Sequence, residues 1–180
     1  MTGDTVEYDE SKAAELILYI AEQTEEDKTA GSVKLNTILY FSELLHLRRT
    51  GVPITGADYQ KLDHGPALRR MLPIIERLRA EGAATTVDRD YFGSTQRRLV
   101  ALRPPDLDRF SADEIAAVDR IIVQFWGKNA TQTSGISHED AGWRAVESGE
   151  SIPLSLAFID VEGEVTDRIR EKARELAQRL

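Results

Sequence analysis

The chain has 180 residues, 41% of them hydrophobic, and no cysteine. This excludes thiol nucleophiles, zinc–cysteine sites and disulfide frameworks, while leaving enough apolar material for a core. Net charge is −8: residues 1–30 hold nine acids against two bases, whereas residues 31–80 hold eight bases against four acids. Such a balance makes a poor general nucleic-acid binder, because phosphate affinity comes from Lys and Arg. The acidic start "MTGDTVEYDE" lacks the basic and apolar parts of a signal peptide, and no apolar run approaches the ~20 residues of a membrane helix. The sequence therefore predicts a soluble, cytoplasmic protein.

From Asp9 to Gln23, Ala13, Leu16, Ile17 and Ile20 recur at helical spacing, with Asp9 or Ser11 placed to cap. "TEEDKTAGS" breaks the pattern as a polar loop in which Glu25, Glu26 and Asp27 would be solvated. Ser32 to Arg49 is different in kind: Val33, Leu35, Ile38, Leu39, Phe41, Leu44 and Leu45 leave little of its circumference polar, as in a central core helix. Gly51 and Pro53 end it. "ITGADYQKLD" reads as an extended link, and Gly65-Pro66 as the opening of a third helix. Leu68, Leu72, Ile75 and Leu78 would form that helix's apolar face, and Pro73 would kink it.

Thr85–Tyr91 and Arg97–Leu102, separated by Gly93-Ser94, predict a β-hairpin. Ser111 and Glu114 form a capping box ahead of a helix marked by Ile115, Val118, Ile122 and Phe125. Ser137 and Asp140 repeat the box before a short helix through Trp143. The last helix, Glu162 to Leu180, carries Val165, Ile169, Ala173, Leu176 and Leu180 on one stripe. The prediction is a mainly α (α+β) domain of about six helices around a central buried helix, with one small β-hairpin. It spans 1–180, with 1–9 a short tail and 160–180 a helix packed on the domain or contacting a partner.

The sequence carries no enzyme signature. His46, His64 and His138 lack any i, i+4 pairing, and no nucleophile elbow, phosphate loop or dinucleotide fingerprint is present. No catalytic, cofactor-binding or metal-binding residue is assigned. One alternative has content: Arg69, Arg70, Arg77 and Arg79 on a helix, followed by a hairpin with Arg89, Arg97 and Arg98, copies the order of a winged-helix DNA-binding regulator. The −8 charge and Pro73 stand against it.

"KLNTILYFSELLHLRRTGVPI", Lys34 to Ile54, followed by "HGPAL", resembles the SocA-like Panacea antitoxin domain, also described as phage-associated GepA-like. The family pattern falls on Lys34, Leu35, Leu39, Tyr40, His46, Leu47, Gly51, Pro53 and Ile54, then Gly65 and Pro66; "ISHEDAGWRAV" adds His138 and Trp143. His64 departs from the aromatic usual at its place, and Ala67 from a larger aliphatic. The resemblance implies a non-enzymatic antitoxin of a bacterial or phage toxin–antitoxin system. Its partner would be a cognate protein toxin, neutralised by direct contact or by delivery to a cellular protease. On that reading the acids Glu22, Glu25, Glu26 and Asp27 are candidates to meet a basic toxin, and Arg69 and Arg70 are further candidate contacts.

Overall fold

The computed structural model describes residues 7–158 together with Glu171, Arg174 and Glu175. Apart from those three residues, which are helical, the C-terminal helix predicted over 162–180 lies outside the described residues, as does most of the 1–9 tail. Within 7–158 the fold is mixed α+β and mostly helical, with six α-helices and two antiparallel hairpins.

Asp9 starts helix α1 (Glu10–Gln23) by accepting from the Lys12 amide at 2.8 Å, and Ala13, Leu16, Ile17 and Ile20 are buried as their spacing requires. Helix α2 (Ser32–Thr50) is buried along most of its length and packs against α1 and against most of the later elements. It stops at Gly51, whose φ of 83° suits a residue without Cβ and lets its N–H reach the Leu47 carbonyl.

The segment read as a link and helix opening is a second hairpin. Strands β1 (Tyr59–Leu62) and β2 (Gly65–Leu68) pair with Leu62 opposite Gly65 and Tyr59 opposite Leu68. Pro66 is tolerated because it faces Lys61, whose N–H and C=O turn outward to Glu150 and Gly149. That pair asks nothing of the missing proline N–H. Helix α3 consequently begins at Met71 and runs to Ala80. Pro73 falls in its first turn, where most N–H groups lack intrahelical partners, so α3 runs past it unbroken. The later start also rotates the buried face to Met71, Ile74 and Leu78, leaving Leu72 exposed.

Strands β3 (Ala84–Tyr91) and β4 (Ser94–Ala101) form the predicted hairpin around Phe92-Gly93. Helix α4 (Ala112–Phe125) has both hydrogen bonds of the Ser111–Glu114 capping box. Helix α5 (Ala130–His138), unforeseen, opens on a second such box from Asn129 and Gln132. Ser137 does not cap the short helix α6 (Ala141–Ala145); it is buried inside α5, and Asp140 alone caps α6. One hydrophobic cluster joins α1, α2, α3, α4 and both hairpins.

Candidate functional site

The pattern residues converge on α2 and on what α2 holds. Lys34, at its start, is 2% exposed and pairs with Asp27 at 2.6 Å while also donating to the Thr29 hydroxyl. Asp27 further accepts from the Thr29 amide and hydroxyl and from the Gly127 amide. Burial works to raise the Asp27 carboxyl, but the bonds from Lys34 and Thr29 outweigh it and hold it below its ordinary value. Asp27 is thus a buried tie between the α1–α2 loop, α2 and the end of α4; only Glu25 and Glu26 of that acidic run are solvated.

Midway along α2, Leu39 is buried and Leu35 packs against the core. The Tyr40 hydroxyl donates to Asp140 at 2.8 Å, and the same carboxylate oxygen accepts from the Trp143 amide. Glu43, wholly buried, accepts from the Ile54 amide at 2.6 Å and from the Thr55 amide and hydroxyl. Its carboxyl is raised by burial, against which those bonds act. At the C-terminal end, His46 Nδ1 contacts the Val52 carbonyl at 2.8 Å; a carbonyl can only accept, so Nδ1 carries the proton. Together Glu43 and His46 fold the chain through Gly51, Val52 and Pro53 back along α2.

The β1–β2 turn is held by a three-donor clamp. Ser134 donates through its hydroxyl to the His64 carbonyl at 2.8 Å, His138 through Nε2 to the Asp63 carbonyl at 2.9 Å, and Trp143 through Nε1 to the Leu62 carbonyl at 3.2 Å. His138 and Trp143 stack at 4.2 Å, and Lys61 Nζ lies 4.0 Å from the Trp143 ring centroid. Gly65, with φ of 129°, backs onto Ser137; a Cβ there would meet that side chain at 3.1 Å. The His64 ring is exposed, so the turn uses this residue's backbone and not its imidazole. No cluster of His, Asp or Glu that could hold a metal occurs among the described residues.

The surface candidates divide. Glu22, Glu25 and Glu26 are exposed and make no ion pair among the described residues. Glu22 and Glu25 border a groove of about 250 Å³ between the end of α1 and β4, shared with Arg89, Val100, Leu102 and Arg103. Arg69 is spent on Asp58, Gln60, the Gly149 carbonyl and Ser151, tying the first hairpin to the 149–151 loop. Arg70 pairs with Glu10 at 2.5 Å, and Arg77 shares that carboxylate at 3.3 Å. Arg98 points inward to the Thr24 and Glu25 carbonyls. The basic groups of the winged-helix reading are thus largely engaged within the chain.

Sequence reasoning missed Glu43, Asp140 and Ser134. An acid at position 43, within a helix apolar nearly all round, was the one available signal, since a buried carboxylate must find donors.

These features define a mainly helical α+β scaffold in which polar side chains of α2, α5 and α6, buried or half-buried, fasten loops and a turn to a central helix. The chain belongs to the SocA-like Panacea antitoxin family: the model of the antitoxin SocA-like Panacea domain matches residues 35–144. No curated protein and no solved structure matches the chain significantly.

Proposed function

We propose that this chain is a non-enzymatic antitoxin that neutralises a cognate protein toxin by direct protein–protein contact. The observation that carries this reading is the use to which the family-pattern residues are put. Lys34, Tyr40, His46, His138 and Trp143 all hold backbone or side chains of the chain itself. A binding module needs such a rigid frame, which limits the ordering cost of association, and it leaves the outer surface free to meet a partner. Family membership supports the antitoxin role in general. Among the described residues no helix is long and apolar enough to cross a membrane.

The test is co-expression with the product of the adjoining gene, measuring growth and co-purification. Restored growth with a stable complex supports direct neutralisation. Rescue that depends on a host protease, with the toxin disappearing, would instead make the chain an adaptor for degradation. Absence of rescue together with salt-sensitive binding to duplex DNA would overturn the proposal in favour of a regulator.

A further inference from the structure

The outer part of the β3–β4 hairpin is a finger without an internal purpose. Its middle is fixed: Arg98 donates to the Thr24 and Glu25 carbonyls, and Gln96 lies against Gly31. Beyond that anchorage Asp88, Arg89, Asp90 and residues 92–95 are all exposed. At the apex Phe92 is 94% exposed and touches Tyr91 edge-on, ring centroids 4.9 Å apart.

The turn makes that phenylalanine more unusual. Phe92 has φ of 49° and Gly93 φ of 79°, the two-residue turn in which Asn-Gly or Asp-Gly is preferred. A bulky side chain in the left-handed region is disfavoured, and among the described residues the Phe92 ring has only the edge-on contact with Tyr91 to set against it. The turn is nevertheless well set, because Asp90 accepts from the Gly93 amide at 3.1 Å. A large ring is thus displayed on a braced tip, the character of an interface anchor.

Beside the finger's base stand Glu22, Glu25 and Glu26, at the C-terminal end of α1. That end is the negative pole of the helix, and α1 has no base in its last turn. These acids form no ion pair among the described residues, Glu22 accepting only from the neutral Gln23 amide, so a cation from outside would find three carboxylates without a bound cation. Asp88 on the finger is neutralised by Arg97 at 3.1 Å, so it is these acids at the base that would repel an anionic membrane or a nucleic acid.

We propose that this finger is the toxin-binding element: Phe92 enters an apolar pocket of the toxin, and Glu25 and Glu26 at the finger's base meet Lys or Arg side chains elsewhere on the toxin's contact face. The proposal rests on the antitoxin reading. Phe92→Asn separates binding from folding, because it creates the preferred Asn-Gly turn. With the adjoining gene's product as probe, Phe92→Asn should melt no lower than the parent, weaken the complex by about 30-fold or more, and fail to restore growth. Glu25→Lys with Glu26→Lys should slow association at low salt, with the difference shrinking at high salt. If the parent rescues growth and Phe92→Asn does so with unchanged affinity, the finger is not the contact and the antitoxin reading survives. If the parent neither binds nor rescues, the antitoxin reading fails and the proposal with it. Sedimentation showing that Phe92→Asn abolishes self-association, with toxin binding unchanged, would place the ring against a second copy and overturn the assignment.

Discussion

Tyr40 and Asp140 stand one hundred positions apart and meet through a 2.8 Å hydrogen bond from hydroxyl to carboxylate. One oxygen of Asp140 thereby joins the centre of α2 to the N-terminus of α6, since it also accepts from the Trp143 amide. Gly142 permits the approach, as a Cβ there would lie 2.8 Å from the Tyr40 hydroxyl. Tyr40→Phe should lower stability by about 2 kcal/mol, the worth of a hydrogen bond to a charged group. Asp140→Ala should cost more, because it also removes the α6 cap. Urea unfolding of both single variants and the double variant measures the coupling; strict additivity would contradict the link.

Gly65 tests the turn clamp. Its φ of 129° and its contact with Ser137 both oppose a side chain. Gly65→Ala should destabilise by about 2 kcal/mol or more. Adding Ser137→Gly should recover part of the loss, since space returns while the backbone conformation stays unfavourable. Thermal melts decide the matter.

The Lys34–Asp27 pair is both buried and polar, and its value lies in remaining whole. Lys34→Ala should cost about 3–5 kcal/mol by stranding a buried carboxylate. Lys34→Met combined with Asp27→Asn should cost less than the single change, because the introduced carboxamide carries no charge yet keeps an acceptor for the Thr29 amide. A double variant less stable than Lys34→Ala, by chemical denaturation, would refute this.

Acid sensitivity should report on Glu15. Arg103 grips both of its oxygens, at 2.7 and 2.9 Å, and the Asp106 amide adds a third bond. The Arg103 hydrogen bonds hold this carboxyl below its ordinary value of 4.5, against the opposing effect of burial. As pH falls the unfolded chain therefore takes up its proton first. The stabilisation is complete above the ordinary glutamate value and is lost as pH falls through the lowered one. Glu15→Gln should be less stable at neutral pH, and its unfolding midpoint should fall less steeply between about pH 6 and pH 3. Parallel pH profiles for parent and variant would exclude the mechanism.

Elements whose signals are local were legible. The caps of α1 and α4, the all-round apolar α2 and the β3–β4 hairpin follow from periodicity and short-range side-chain chemistry. Helix α5 was not, because "ATQTSGISH" has no apolar period; it packs through Thr133, Ser134 and Ser137 against α2 and β2. The β1–β2 hairpin was mistaken for a helix start because Gly-Pro suits either. Strands of four residues are held by distant groups, among them Asn36, which accepts from the Leu68 amide.

The same division runs through the site. By itself the sequence determined helices α1, α2 and α4 and the β3–β4 hairpin, which rest on residues within a few turns of one another, together with the cysteine-free chemistry and the order of residues that marks the family. Only the tertiary structure decided that Asp27 is buried while Glu25 beside it is solvated, that Arg69 is engaged, and that His64 serves through its carbonyl. Each outcome depends on donors or acceptors supplied from elsewhere in the chain, up to a hundred residues away, and burial is settled by where they arrive.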